Sequence, residues 1–460
     1  MHLAATHELD KCQPPTTDPL PKPGQYYQGI NTWLFEAVPL SAKTILEVGC
    51  GEGRLGAALK HVDPERIVYG LEKMPTIARE ASTRLDQVFV LDVEKELPAL
   101  APGSRDCILY GDVLEHLVDP LEVLRRHQHL LKPSGQIICC VPNIQHFSVL
   151  RNLLSGDFQY ESAGLMDATH LRFFTYSTLM KLLLDAGYAP ELVTSIDVED
   201  QSDLMHAATP LITALGLDVS RTSAYLTAYQ YVFRGLPLHW EQGESETPLS
   251  FVVCVSNEEQ LRANLLRSVC LQQPSIHELI LVRSATSAAE GLNIGLDRAT
   301  NEIVVLLHQD VFLPPGWTRR FIEQYRMAER KFGSIGMVGF FGTLNNNGKK
   351  QSFGHVADRH SRLNFTPLPA LVETVDEFAM AVPKSSKVRF DPTLGWHLYG
   401  ADFALQTMQQ GQFVAVLDAI CFHHSKTGFA LPEEYHRSAT LFRDKWIDHL
   451  PVFTPCADFN

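Results

Sequence analysis

Residues 45–56 read ILEVGCGEGRLG, and this turn decides the fold of the half of the chain that contains it. Ile45 to Val48 form a short aliphatic run. Gly49, Gly51 and Gly53 follow at alternate positions, and a helical pattern, GRLGAALKHV, begins at once. A strand that runs through glycines into a helix lets backbone approach a ligand closely, and it turns the first helical N–H groups toward polar atoms. The pattern repeats outward. RIVYGLE, VFVLDV, DCILYGDV and QIICCVP read as strands, with MPTIAREASTRL and PLEVLRRHQHLL as helices between them. Such βαβ repetition predicts a mainly parallel, doubly wound α/β sheet. Residues 145–190 read as helical with a turn at DAGY, 201–222 as a helical insertion, and AYQYVFRGLP as a last strand.

Acids stand at the ends of these strands. Glu47 sits in the first, just before the glycines. Glu72 ends RIVYGLE about twenty residues on, where a carboxylate can accept bonds from both hydroxyls of a ribose. Asp92 follows in FVLDVE, placed to meet an adenine amino group, and Asp112 ends the next strand in LYGDVLEHL. Together with GDVLEHLVDPLEVLRRHQHLLKPSGQIICCVPN, these residues resemble a class I S-adenosylmethionine-dependent methyltransferase over roughly residues 25–235. The resemblance implies a Rossmann-like domain whose cofactor is S-adenosylmethionine. Glu47, Gly49, Gly51 and Gly53 would face its methionine part, Glu72 its ribose, and Asp92 with Val93 its adenine. Asp112 would complete the pocket and Tyr27, in GQYYQGIN, would cover it. The turn lacks the G-x-G-x-x-G spacing of a Rossmann dehydrogenase, and this cofactor has no pyrophosphate to hold.

Transfer of a methyl group to a hydroxyl benefits from a base that takes its proton. His116, His146 and His170 are candidates. The segment around His170, MDATHLRFFTYSTLMKLLLDAGY, resembles the acceptor-facing segment of small-molecule and sugar O-methyltransferases, so His170 is expected as base or acceptor contact. Capping or packing its helix is the alternative. His116 is expected to line the cofactor pocket, and Asp167 to orient a histidine or bind a sugar hydroxyl.

A second alternation begins at LSFVVCVSN. HELILVRSA, EIVVLLHQD and GMVGFFG follow as strands, with EEQLRANLLRSVC and WTRRFIEQYRMAERKF as helices. No sequence repeat joins the two halves, so they are two α/β domains of different design. The expected organisation is a leader at 1–24, a first domain at 25–238, an acidic, turn-rich linker at 239–248 and a second domain at 249–460. In the second, the aliphatic run Ile303 to Leu307 ends on His308-Gln309-Asp310. A buried strand ending so delivers a carboxylate to the sheet edge where ligands gather. Burial without a partner is costly, so a metal or a hydrogen-bonded ligand is expected there. Mg²⁺ or Mn²⁺ suits oxygen ligands and a diphosphate.

AAEGLNIGLDRATNEIVVLLHQDVFLPPGW resembles the middle of an inverting family 2 glycosyltransferase of the GT-A fold, and the likeness spans about residues 249–440. It implies that Asp310 is the metal-binding acid of an Asp-x-Asp-type motif in which His308 replaces the first acid. Ser256, Asn293, His308 and Asp310 would contact the nucleotide sugar. Asp402, in LGWHLYGADFALQTMQQGQ, would be the catalytic base. His424, preferred to His423 in AICFHHSKTG, would be a further metal or diphosphate contact. Trp396, His397 and Tyr399 either stack on a sugar or pack a core.

The 460 residues suit two or three domains. A formal net charge of -14 disfavours non-specific nucleic-acid binding. Nine scattered cysteines without paired zinc spacing read as buried thiols of a reducing, cytoplasmic setting. No apolar run reaches the ~18 residues of a membrane span, and the Pro-rich start lacks a signal-peptide pattern. The expectation is thus a bifunctional enzyme. One half is expected to transfer methyl groups to a sugar hydroxyl; the other, a sugar from a nucleotide-diphosphate donor to a glycan or glycoconjugate. The His-Gln-Asp departure supports a rival in which the second half is a degenerate, glycan-binding module. A non-catalytic scaffold is the third reading.

Overall fold

The computed structural model describes residues 29–197, 202–238, 244–272, 274–359, 361–425 and 431–460. Tyr27, the expected leader and residues 239–243 of the expected linker lie outside them. The first half is one seven-stranded sheet. Its strands are β1 (Thr44–Val48), β2 (Ile67–Glu72), β3 (Gln87–Val90), β4 (Arg105–Gly111), β5 (Leu131–Pro142), β6 (Tyr188–Asp197) and β7 (Ala228–Pro237). The spatial order is β3-β2-β1-β4-β5-β7-β6. The first five run parallel, while β7 pairs antiparallel with β5 and β6 with β7. The middle strands read as continuous aliphatic runs because helices cover both faces, which leaves no solvent side to encode. The sequence pattern gives no sign of β6, whose Pro190 and Glu191 interrupt any alternation. It is an edge strand, where a proline costs no ladder bond.

The second half has a mixed sheet and a smaller one. In chain order the strands are β8 (Ser250–Val255), β9 (Glu278–Arg283), β10 (Ile303–Leu307), β11 (Val311–Phe312), β12 (Ile335–Gly339), β13 (Phe341–Asn346), β14 (Lys349–Asp358), β15 (Ser361–Phe365), β16 (Ala370–Leu371), β17 (Thr374–Val375), β18 (Ala379–Pro383), β19 (Phe413–Val416) and β20 (Phe422–His423). The larger sheet has the order β16-β19-β12-β18-β10-β8-β9, with β10 parallel to β8 and antiparallel to β18. The smaller runs β11-β20-β14-β13-β17, with β15 on β14. Both halves are therefore α/β, the first a Rossmann-like doubly wound sheet and the second a GT-A-like one.

The halves share a core. The helix Tyr176–Asp185 buries Tyr176, Leu179, Met180 and Leu183 in one cluster with Phe312, Ala357, Ile420 and Phe422 of the smaller sheet. On the same helix, Lys181 Nζ donates to Ala263 O at 2.7 Å and to Asn264 Oδ1 at 3.2 Å. The part of the expected linker that is described is also packed. Glu244 accepts from Gly316 N at 3.3 Å and from Thr318 Oγ1 at 2.5 Å, so an acid sits at the start of the helix Trp317–Phe332.

Phe312 is fully buried in this shared cluster. Phe312→Ala is expected to cost about 3–5 kcal/mol, the usual range for removing a buried aromatic ring. Urea unfolding of the full chain measures it, and a loss under about 1 kcal/mol would show that the two halves do not depend on this contact.

Candidate functional site

The carboxyl ends of β1, β2 and β4 open into a cavity of about 1030 Å³. Gly49, Gly51 and Gly53 all have positive φ, at 64°, 52° and 74°, which side chains with a Cβ rarely adopt. Glu47 and Glu72 hold this turn from below. Glu47 Oε2 accepts from Gly56 N at 3.1 Å, and Glu72 accepts from Gly51 N at 3.1 Å and from Met74 N at 2.9 Å. Burial pushes the Glu47 carboxyl up to about 8, with the charge of Glu72 adding to it. Burial also raises Glu72, against the pull of its N–H partners.

Asp92 lies at the cavity wall beside Val93, with Lys73 at 3.0 Å and Lys95 at 3.3 Å. Burial pulls its pKa up, but hydrogen bonds from Lys73, Glu94 N and Lys95 outweigh that and leave it low. Asp112 accepts from Asn31 Nδ2 at 3.3 Å and from Gln230 Nε2 at 2.5 Å. Of the expected pocket residues, Glu47, Gly49, Gly51, Glu72, Asp92, Val93 and Asp112 line the cavity. Gly53 instead caps the helix Arg54–Val62. Tyr27 lies outside the described residues. Asn31, Trp33 and Gln230 join the wall from distant parts of the chain, and no local pattern in the sequence marks them.

His116 and Thr169 line the same cavity. The rings of His116 and His170 meet edge to face, 4.8 Å between centroids. The main-chain oxygen of Glu115 accepts from Leu171 N at 2.8 Å and Arg172 N at 3.0 Å, which staples the His170 loop to the end of β4. Asp167 Oδ1 accepts from both N and Oγ1 of Thr169 at 2.8 Å, and Thr169 in turn meets His116. His146 is placed otherwise. It caps the helix Phe147–Leu154 through Ser148 and stands edge-on to Tyr229.

In the second half, ligand-type atoms of His308, Asp310 and His423 lie within 4.8 Å of one another. His308 N donates to Phe378 O at 2.8 Å, and its Nε2 lies 3.0 Å from the Tyr399 hydroxyl. His423 lies 3.7 Å from Asp310 and 3.3 Å from Asp358, with its ring stacked on Phe378. His424, the residue expected here, turns away: neighbours on a strand face opposite sides, and β20 gives Asp310 the His423 side. His424 contributes only its main-chain N–H, to Asp310 O at 2.9 Å. Burial first, then Arg359 and Lys181, press its imidazole down to about 4. Burial lowers His308 to about 4 as well. For His423 burial also lowers, but Asp358 and Asp310 outweigh it and the imidazole is raised.

Other expected residues have protein partners. Gln309 Oε1 accepts from Ser256 N and Asn257 N, both at 2.9 Å, and Gln309 Nε2 donates to Ser256 Oγ at 2.9 Å. The middle residue of His-Gln-Asp thus ties the end of β10 to the end of β8, and Ser256 belongs to that tie. Asn293 grips the backbone of Phe390, Nδ2 to O at 2.8 Å and N to Oδ1 at 3.0 Å. Asp402 is fully buried, with Oδ1 on Trp446 Nε1 at 2.9 Å and Lys445 Nζ at 2.8 Å, and Oδ2 on Gln406 Nε2 at 2.7 Å. In this setting it is a strut between the helices Tyr399–Gln409 and Glu433–Lys445 rather than a group facing a cleft.

Of the two acids before β18, Asp376 is the one whose charge acts on His423 of the cluster, and Glu377 lies by Tyr399, whose hydroxyl meets His308. Glu377 precedes β18, the antiparallel neighbour of β10, and accepts from Gly400 N at 3.0 Å. Burial pushes its carboxyl up to about 8, with Asp376 adding repulsion. The stretch VDEFAMAVPKS resembles the acceptor-side strand of the glycosyltransferase family, but its two acids are given no role by the sequence; pairing with β10 brings them to the strand ends. Tyr399 is core, while Trp396 is exposed.

These geometries define a transferase of two α/β parts: a nucleoside-type pocket at a glycine turn, and a GT-A-like cleft with acids and imidazoles at its strand ends. A methyltransferase-domain family matches residues 25–193, and a glycosyltransferase-like family matches residues 250–445. A class I S-adenosylmethionine-dependent methyltransferase domain is thus identified in the first half and a family 2-like GT-A glycosyltransferase domain in the second. Among curated relatives, it is 31% identical over 172 residues to a ubiquinone biosynthesis O-methyltransferase of Ralstonia nicotianae, covering 36% of this chain and 71% of that protein. It is 28% identical over 175 residues to an uncharacterized 37.1 kDa transposon protein of Streptomyces fradiae, covering 37% of this chain but only half of that one. A solved SAM-dependent methyltransferase of Archaeoglobus fulgidus matches 42% of this chain and 86% of its own length at 18% identity, TM-score 0.30.

Glu47 makes stability pH-dependent. Its folded pKa of about 8 lies above the ordinary 4.5, so its contribution is complete below about 4.5 and is lost as pH rises through 8. Without cofactor, the full chain is expected to lose stability between pH 5 and 8, and Glu47→Gln to remove a few kcal/mol of that loss. Urea unfolding at pH 5, 6.5 and 8 tests this; identical slopes for the two proteins would contradict it.

Proposed function

We propose that this chain is a bifunctional enzyme that transfers a methyl group from S-adenosylmethionine to a sugar hydroxyl and a glycosyl group from a nucleotide-diphosphate sugar to a glycan or glycoconjugate acceptor. The observation that carries the reading is one chain with two separate sites, a cavity lined by strand-end acids in the first half and the His308, Asp310 and His423 cluster at strand ends in the second. The domains run over 25–238 and 249–460. S-adenosylmethionine supplies an electrophilic methyl group. The chain supplies its binding: the Gly49–Gly53 turn and Glu47 for the methionine part, Glu72 for the ribose, Asp92 and Val93 for the adenine, and Asp112 beside them, with Tyr27 as cover. His170, paired with His116, faces the acceptor hydroxyl. Loss of that hydroxyl's proton accompanies transfer, and an imidazole at this place is the group suited to receive it.

At the second site, one carboxylate and two imidazoles within 4.8 Å fit a divalent metal. His308, Asp310 and His423 would hold it, and a set rich in nitrogen favours Mn²⁺ over Mg²⁺. The ion, when bound, offsets the charge of a diphosphate. Gln309 keeps the ends of β8 and β10 at fixed distance, so the donor meets a preformed edge. The base role expected of Asp402 passes to Glu377, which precedes β18 beside Tyr399, the partner of His308, and has a raised pKa. Inversion at the anomeric carbon follows from one such base acting on the acceptor hydroxyl. Covalent joining of the two activities suits a shared acceptor, one glycan that is both extended and O-methylated. No helix among the described residues is long and apolar enough to cross a membrane. The buried free thiols suit a cytoplasmic setting.

Calorimetry tests the first site. Glu72→Ala is expected to weaken S-adenosylmethionine binding about 10–100-fold, the worth of hydrogen bonds to a charged group, and Gly51→Val to abolish it. Unchanged affinity in both would remove this pocket from the reading.

Nucleotide-sugar turnover tests the second. With Mn²⁺, wild type is expected to release nucleoside diphosphate from its donor, Asp310→Ala to lose that activity, and Glu377→Gln to lower transfer to acceptor by about 10²–10⁴-fold. If no donor is bound or cleaved with Mn²⁺ across a nucleotide-sugar panel, the second half is the glycan-binding module instead.

A further inference from the structure

The methyltransferase half holds a cluster that binding of S-adenosylmethionine does not use. One ligand-type atom each of Glu115, His116 and His170 lies within 4.8 Å of the others. Ligands on one ion stand about 2.0–2.2 Å from it, so opposite pairs lie up to about 4.4 Å apart. The three groups are a few tenths of an ångström from that spacing. We infer that Glu115, His116 and His170 form a binding site for a divalent transition-metal ion at the acceptor end of the cofactor cavity.

Three further observations point the same way. Glu115 is 1% exposed, and its Oε2 has no hydrogen-bond partner among the described residues. A buried carboxylate oxygen without a donor is expensive, and the charges of Asp112 and Asp167 oppose its own. A cation answers all three carboxylates at once. Next, each histidine places Nδ1 on a main-chain carbonyl, His116 on Thr169 O at 3.1 Å and His170 on Leu165 O at 3.2 Å. An imidazole whose Nδ1–H is donated in this way carries its lone pair on Nε2, which is how ligating histidines are oriented. Finally, Asp167 holds Thr169 by two hydrogen bonds, and Thr169 holds His116, so the ring is braced from behind.

The donor set decides the class of ion. Two imidazoles and one carboxylate suit Zn²⁺, Co²⁺, Fe²⁺ or Mn²⁺ and disfavour Mg²⁺ and Ca²⁺. Three protein ligands leave positions open. His116 lines the cofactor cavity, so those positions face the space an acceptor must enter. Two adjacent oxygens of the acceptor can occupy them, which makes a vicinal diol the matching substrate class. This last step rests on the proposed methyl transfer, with His170 then holding the ion at the acceptor instead of receiving the proton itself; the metal site does not rest on it.

The test uses the full chain, stripped with a chelator and titrated with Co²⁺ by equilibrium dialysis and visible absorption. Asp310→Ala/His423→Ala serves as background, because it removes the cluster of the second half. One Co²⁺ per chain is expected there, with a ligand-field band. Adding Glu115→Gln or His170→Ala should weaken Co²⁺ binding at least 10-fold and remove the band. S-adenosylmethionine binding by calorimetry, retained in at least one of the two, shows that the fold is intact. Co²⁺ affinity and absorption unchanged by both substitutions would overturn the site. Co²⁺ bound as expected without methyl transfer to any diol would keep the site and sink the methyl-transfer reading. Methyl transfer that survives chelation in a chain that binds no Co²⁺ would do the reverse.

Discussion

Two buried carboxylates beneath one glycine turn hold the first half together. Glu47 accepts from Gly56 N–H, and Glu72 accepts from Gly51 N–H. The first bond joins β1 to the helix that follows it, and the second joins the end of β2 to the turn that leaves β1. Together they set how far the turn opens and where the helix Arg54–Val62 begins. A glutamate placed there carries a desolvation cost, visible in the raised pKa of both groups. Main-chain donors offset only part of it. The remainder keeps the pocket receptive to polar ligand groups, because a ligand that brings donors to these acids recovers what folding left unmet.

The same logic recurs wherever a strand ends in this chain. Asp92 is answered by two lysines, Asp112 by Asn31 and Gln230, and Asp310 by His423. Glu115 is answered least completely, with one carboxylate oxygen that has no hydrogen-bond partner among the described residues. Acids with full sets of partners, such as Asp402, do structural work. Acids with incomplete sets are the ones with chemistry left to do. That difference is invisible in residue identity, since both kinds are buried carboxylates near a helix start.

The shared core gives the two halves a mechanical relation. Phe312 follows Asp310 by two residues, and Phe422 adjoins His423. The strands that present the second cluster of metal-type ligands are therefore the strands whose aromatic rings pack on the helix Tyr176–Asp185 of the methyltransferase half. A shift in that helix would be felt directly at β11 and β20, and also at Ala263 and Asn264 through Lys181.

The sequence by itself determined the two α/β halves, the parallel order implied by βαβ repetition, and the strand-end residues that line the first half's cavity. Glu47, Gly49, Gly51, Glu72, Asp92 and Asp112 were legible because each sits at a fixed offset from an aliphatic run, and a run with its end is local information. Only the tertiary structure decided between His423 and His424, since the choice depends on which face of β20 meets β11. It alone brought Glu377 to the end of β10, by an antiparallel pairing of segments some seventy residues apart in sequence. It alone joined Glu115 and His116 to His170 across a loop of irregular backbone, and it alone enclosed Asp402 with Lys445 and Trp446. Period and offset survive in one dimension. Pairing register and the partners that neutralise a charge exist only once distant strands have met.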